Sequence, residues 1–128
     1  MPASTIVVND DNAVLLHVMH HLFTRHGYNV VTSRFGNDAL DLVQNNAPSL
    51  LVIDLQLGPW SGLSIIEQLR AMPAFAALPV IVYSGNPIML DPAAPRLKKL
   101  GCAVLEKQFP LEAMLQRVEA ALGQPVVI

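Results

Sequence analysis

Cysteine is almost absent from this sequence. Cys102 is the only one in 128 residues, so no disulfide can form within the chain, and a reducing compartment is its natural setting. Charge is scarce as well. Only 14% of residues are charged and the formal net charge is -2, which argues against a basic nucleic-acid-binding tail or a polybasic membrane patch. No stretch approaches the roughly eighteen consecutive apolar residues of a membrane-spanning helix. The start of the chain lacks the basic segment and long apolar run of a secretory leader. No glycine-rich phosphate loop follows the first apolar run, which disfavours a nucleotide-binding enzyme. Internal repeats, linkers and low-complexity segments are missing too. The expectation left by these absences is a cytoplasmic α/β domain.

What the sequence has is apolar material. Hydrophobic residues make up 52% of the chain, enough for one core and incompatible with disorder. A single domain over residues 1–128 is expected, with its core in 5–122. Its centre is Ser49-Leu50-Leu51-Val52-Ile53-Asp54, four apolar residues running into a carboxylate. Such a run reads as a parallel strand covered on both faces. Asp54 then sits at the carboxyl end, the edge where open α/β sheets place their sites. Leu55 to Gly62 reads as a loop.

Taken in order, Thr5-Ile6-Val7-Val8 is a first strand, ending at Asn9-Asp10-Asp11-Asn12, residues that suit a strand end and a helix N-cap. A helix is predicted from Ala13 to about Arg25, with Leu15, Val18, Met19, Leu22 and Phe23 inward and Gly27 closing it. Tyr28 to Ser33 reads as a second strand. Asn37 is the expected cap of a second helix carrying Ala39, Leu40 and Val43 inward, stopped by Asn45-Asn46-Ala47-Pro48. Gly62 to about Met72 has helical spacing at Leu63, Ile65, Ile66 and Leu69. Val80 to Ser84 is a fourth buried strand. Pro87, Pro92 and Pro95 crowd the next segment, so a short or irregular helix is expected there, from Pro92 or Pro95 to Leu100. Ala103 to Glu106 is a brief fifth strand ending at Lys107. Pro110 opens the last helix, whose apolar side is Leu111, Met114, Leu115, Val118 and Leu122, and Gln124 to Ile128 is a tail. Five alternations with short crossovers require a parallel sheet with helices on both faces.

Asp10, Asp11, Asp54, Ser84 and Lys107 all fall at carboxyl ends of predicted strands, hence on one edge. Three carboxylates there repel one another unless a cation joins them. Oxygen ligands without nearby sulfur or imidazole suit Mg2+. With metal and ammonium offsetting its charge, a phosphoryl group could be bound there and attacked by Asp54.

Over Ile6 to about Leu122 the sequence resembles the receiver domains of bacterial two-component response regulators. Asp10 and Asp11 match the family's Mg2+-holding acidic pair, and Asp54 the aspartate that takes a phosphoryl group from a histidine kinase. Ser84 matches the Ser/Thr that bonds this group, and Lys107 the lysine that pairs with it. The backbone carbonyl of Gln56 stands at a further metal-ligand position. Gly27-Tyr28, Ala39-Leu40 and Gly62 also have family equivalents. The resemblance implies a flavodoxin-like (βα)5 three-layer sandwich with a parallel five-stranded sheet of order 2-1-3-4-5. It implies Mg2+ as cofactor. The implied partners are a histidine kinase, hybrid kinase or phosphotransfer protein and a downstream protein target, with neither nucleic acid nor membrane. A monomer or weak homodimer is expected, with slow autodephosphorylation rather than turnover of an external substrate.

The sequence also departs from the family. Its usual proline four residues after the aspartate is Gly58 here, with Pro59 next and Trp60 in the same loop. Its usual Lys-Pro pair is Lys107-Gln108, where a cis bond would cost about 2.5–4 kcal/mol. Its usual Tyr or Phe three residues before the lysine is Val104, so no large ring can turn inward there. These departures motivate the alternative of a degenerate receiver that binds proteins without phosphorylation. Bland readings stand beside the functional ones: helix capping for Asp10 and Asp11, a turn opener for Asp54, a loop-bonding hydroxyl for Ser84 and a surface ammonium for Lys107. His17 and His21, four apart, are spaced like zinc ligands but lack the motif's glutamate. Trp60 is either a partner contact or a cover for its loop.

Overall fold

The computed structural model describes residues 4–84, 87–106 and 110–123, with 87–91 as backbone only. Lys107, the Lys107–Gln108 bond, the side chains of Ile88, Met89 and Leu90 and the tail from Gln124 lie outside the described residues. Among the described residues the main sheet has five strands: β1 (Thr5–Asn9), β2 (Asn29–Ser33), β3 (Leu50–Asp54), β4 (Val80–Ser84) and β5 (Ala103–Glu106). Five α-helices alternate with them: α1 (Ala13–Arg25), α2 (Ala39–Asn46), α3 (Gly62–Arg70), α4 (Pro87–Lys99) and α5 (Leu111–Ala121). The sheet is wholly parallel, in the order β2-β1-β3-β4-β5. The flavodoxin-like sandwich expected from the sequence is therefore present.

The period of two along each strand sorts the core into two layers. Ile6, Val8, Leu50, Val52, Ile81 and Tyr83 pack with Leu16, Met19 and Phe23 of α1 and with Met114 and Val118 of α5. Val7, Leu51, Ile53, Val80 and Val82 pack on the other face, with residues of α2 and α3 and with Leu97 of α4. All five residues of β3 and all five of β4 are buried, as strands covered on both faces must be.

Local chemistry sets the element ends. Asn12 caps α1, its side chain accepting from the backbone N–H groups of Val14 and Leu15. Gly27, at φ 88°, takes the left-handed turn after α1. On α1 the deepest residues are Leu16, Met19 and Phe23, whereas Leu15 and Leu22 are only partly buried.

Four expectations need correction. First, α2 is preceded by a 3-10 turn, Gly36–Asp38, so Asp38 rather than Asn37 stands at its start. Second, α4 begins at Pro87 and contains both Pro92 and Pro95. Both prolines are exposed while Leu97 is buried. The carbonyls they cannot bond thus face the wet side of the helix, where water can serve them, and the apolar side is undisturbed. Third, Pro110 is the N-cap of α5 rather than part of its first turn.

The fourth correction is in the stretch after Asp54, read as a loop. It forms a small hairpin in which Gln56 pairs with Ser61 and Leu57 with Trp60. Gly58 has φ 60° and Pro59 follows. A positive φ, then proline's fixed negative one, is the sign pattern of a type II′ hairpin turn. Moving the proline one place along, from 58 to 59, is what permits this turn.

Candidate functional site: an acidic cluster at the strand tips

Parallel register builds the site. Asn9 pairs with Ile53 across β1 and β3, and Asp54 pairs with Tyr83 across β3 and β4. Asp10 continues the β1 ladder by donating its N–H to the Ser33 carbonyl at 3.1 Å. Asp10, Asp54 and Tyr83 are therefore level with one another. By strand alternation they belong to the same face, the α1/α5 face that holds Tyr83.

Both acids are oriented by their own chain. Asp10 Oδ1 accepts from Asn12 N–H at 2.8 Å, and Asp54 Oδ1 accepts from Gln56 N–H at 3.0 Å. Each is an aspartate bonding two residues ahead as the strand turns away. The start of α3 packs against the same tip. Gly62 N–H donates to the Leu55 carbonyl at 2.7 Å. A Cβ on Gly62 would collide with the Asp54 carbonyl oxygen and stand 3.0 Å from Leu55 Cα, so only glycine allows that approach.

Carboxylate oxygens of Asp10, Asp11 and Asp54 lie within 4.8 Å of one another. Asp10 and Asp54 are buried and Asp11 is exposed. For the two buried acids, Asp10 and Asp54, like charges at that spacing cost on the order of 3 kcal/mol at an effective dielectric near 20, whereas solvent screens the exposed Asp11 to a small fraction of that. Ser84 is buried at the tip of β4. Gln56 is exposed in the hairpin. Five of the six residues expected at the site thus lie on the carboxyl edge or in its first loop, and Lys107, which follows β5, lies outside the described residues.

Two further buried polar residues, not expected from the sequence, lie at the strand tips, and one of them, Tyr83, bonds a site acid. Tyr83, fully buried, donates its hydroxyl to Asp10 Oδ2 at 2.5 Å. Burial, the charge of Asp10 and this hydrogen bond, with smaller contributions from Asp54 and Asp11, push the phenol well above its ordinary value. It is therefore protonated, and a donor, throughout the neutral range. Asn9 is buried too. Its Nδ2 donates to the Phe35 carbonyl at 3.3 Å, and its Oδ1 is a buried acceptor without a hydrogen-bond partner among the described residues. The available signals were a phenol in an otherwise aliphatic run and an amide at the end of a strand.

The rim is partly apolar. Asp11 shares a hollow of about 200 Å³ with Arg34, Phe35, Leu57 and Trp60. Trp60 is 48% exposed and Phe35 62%. Trp60 also lies over Gly36, where an added Cβ would come within 2.5 Å of the Trp60 Cβ. It both covers its loop and remains accessible.

The family model for the response regulator receiver domain matches residues 6–119. The chain belongs to the response regulator receiver family. Among curated receivers, the polar-differentiation response regulator DivK of Brucella anthropi is 28% identical over 124 residues, covering 96% of this chain and 98% of DivK. The response regulator MprA of a Mycobacterium species is 34% identical over 125 residues, covering 95% of this chain and 51% of MprA. The chain thus spans about half the length of the MprA relatives it matches. A response regulator receiver protein from Pseudomonas putida superposes with a TM-score of 0.83 at 28% identity, covering 94% of this chain and 98% of that one. The Vibrio cholerae chemotaxis regulator CheY4 shares the receiver fold with a TM-score of 0.83 at 20% identity, covering 94% and 99%. Receiver domains bind Mg2+ at an acidic pocket. The residues here fit such an ion: three carboxylates converge at one strand-tip pocket, an all-oxygen donor set of the kind a hard divalent cation takes. No helix among the described residues is long and apolar enough to cross a membrane.

Proposed function

We propose that this receiver is a phosphoacceptor in two-component signal transduction, with Asp54 as the residue modified. The observation supporting it is the convergence of Asp10, Asp11 and Asp54 carboxylates at the tip of the central buried strand. In this reading Asp10, Asp11, Asp54 and the Gln56 carbonyl hold Mg2+, which when bound neutralises charge on the incoming phosphoryl group. An Asp54 carboxylate oxygen attacks phosphorus. A P–O bond forms, the P–N bond of a kinase phosphohistidine breaks, and the imidazole leaves with the electron pair and takes up a proton. Gln56 N–H holds Asp54 Oδ1 and so fixes the orientation of the attacking group. Ser84 then donates its hydroxyl to a phosphoryl oxygen, and Lys107 pairs with the added charge.

The added charge and acceptors draw the β4 tip inward and shift a protein-binding surface. Slow hydrolysis of the acyl phosphate resets it. The chain works as one receiver over residues 1–128, core 5–122, in the cytoplasm. It takes its phosphoryl group from a histidine kinase, hybrid kinase or phosphotransfer protein and answers to a protein target, as a monomer or weak homodimer.

The test is incubation with a small phosphodonor and Mg2+, followed by intact mass. One added phosphoryl group is expected on the wild type and none on Asp54→Asn. Addition that survives this substitution, or its absence from the wild type, overturns the proposal and favours a phosphorylation-independent module.

A further inference from the structure

The buried phenol of Tyr83 has a place in the site that hydrophobic packing does not explain. Tyr83 is on β4 and Asp10 follows β1, so the two are separated by the whole width of β3. Strands lie about 4.8 Å apart, so the side chain bridges two strand spacings, on the face that also carries Asp54. Its hydroxyl ends 2.5 Å from Asp10 Oδ2. Asp10 Oδ1 is held from the other side by Asn12 N–H at 2.8 Å. The carboxylate is thus bonded at both oxygens before any ion arrives. Each oxygen keeps a second lone pair for other partners.

We propose that Tyr83 is a positioning residue for the metal site: its hydroxyl fixes the Asp10 carboxylate beside Asp11 and Asp54, and so sets the affinity for a hard divalent cation. The inference rests on the Mg2+ reading given above. Its logic is that of a partner behind a ligand. Such a hydrogen bond chooses the ligand's rotamer in advance, so less order has to be created when the ion binds, and losing it typically lowers metal affinity 10–100-fold. The ring is well suited to this. It is fully buried among Ile6, Val8, Val52 and Ile81, so its hydroxyl is delivered by a rigid, packed lever. Tyr83 is also the chain neighbour of Ser84. Any inward movement of the β4 tip therefore acts directly on the grip on Asp10, which links the phosphoryl-bonding side of the pocket to its metal-holding side.

The experiment is a Mg2+ titration followed by the fluorescence of Trp60. This is the single tryptophan of the chain, and it lines the same hollow as Asp11. Wild type, Tyr83→Phe, Asp10→Asn and the double variant are compared, each shown by circular dichroism to be folded without the ion. Tyr83→Phe is expected to weaken Mg2+ binding about tenfold and to cost little more once Asp10 has been replaced. Equal affinity in wild type and Tyr83→Phe overturns the inference while leaving the Mg2+ reading intact. The same loss with and without the Asp10 carboxylate also overturns it, because Tyr83 would then not act through Asp10. A wild type that binds no Mg2+ overturns both. Should Tyr83→Phe not fold, ring-labelled wild type decides the matter by NMR. Mg2+ is expected to move the Tyr83 ring resonances and leave those of Tyr28, the other tyrosine, in place. An unmoved Tyr83 overturns the inference.

Discussion

The two edges of the sheet use their polar groups in opposite ways. At the amino edge, Arg70 at the end of α3 donates Nε to the Leu100 carbonyl at 2.7 Å and Nη1 to the Phe75 carbonyl at 2.9 Å. One cation closes the chain around two turns, and every group involved contributes to stability. At the carboxyl edge, like charges converge. Asp10, Asp11 and Asp54 bring their oxygens within 4.8 Å of one another, an arrangement that opposes folding and favours a ligand. The same buried sheet supports both, so the cost at one edge is carried by packing and hydrogen bonds elsewhere. The difference is one of charge: at the amino edge a cation meets neutral carbonyls, and at the carboxyl edge the chain's own hydrogen bonds hold acids of like charge together, an arrangement that suits a cation.

The largest effect that could break this contrast is at Arg70. Hydrogen bonds from charged donors are worth about 1.5–3 kcal/mol each. Arg70→Gln cannot reproduce the pair, so denaturant melts are expected to show a loss of about 3 kcal/mol. The affinity for Mg2+ should stay within about twofold of wild type, because Arg70 touches only the amino edge. A loss of Mg2+ affinity as large as that of an acid variant would mean that the edges are coupled and the contrast is false.

Asp11→Asn tests the other side, with a smaller effect of opposite sign. Without Mg2+, removing one of three like charges is expected to stabilise the protein by roughly 0.5 kcal/mol, the modest size expected at an exposed position. With Mg2+, the same substitution removes a ligand and should weaken binding about tenfold, or about 1.4 kcal/mol. A destabilised Asp11→Asn in ion-free buffer would show that Asp11 is held by favourable local bonds. The acidic edge would then be a structural feature like its counterpart.

The same contrast explains what could be read from the sequence. Strands were legible because their apolar runs are short and β-branched, and because each ends in a polar residue, as at Asp54 and Ser84. Asp10, Asp11 and Asp54 were legible as a cluster because a parallel sheet sends all its strand ends to one edge. Tyr83 was hidden: it reads as one more buried apolar residue until the register places it level with Asp54 and across from Asp10. Asn9 was hidden among three cap-forming neighbours, of which only Asn12 caps the helix. α4 is longer than its sequence suggests because the propensity of proline speaks only of the helix backbone. A proline's exposure, which decides whether water can serve the broken bonds, is a tertiary property. The hairpin at Gln56 to Ser61 depends on the order of Gly58 and Pro59, a two-residue turn signal that composition alone does not distinguish from an open loop.

The smallest effect belongs to Cys102, at the amino edge beside Arg70. Burial raises the thiol above its ordinary value of 9.0, while the charge and hydrogen bond of Arg70 lower it, and burial wins. The net shift is modest because the two influences oppose each other. A group with a raised value in the folded state contributes stability that is complete below about pH 9 and is lost as pH rises through the folded value. Denaturant melts of the wild type are therefore expected to be flat on this account up to pH 9 and to decline above it. Alkylation of Cys102 by iodoacetamide should follow the thiolate and reach its midpoint above pH 9. In Arg70→Gln the opposing influence is gone, so the midpoint should move further to the alkaline side, even though a less stable protein reacts faster at every pH. A midpoint that moves toward neutral pH would mean that Arg70 is not facing the thiol. The amino edge would then be held by its two carbonyl contacts alone.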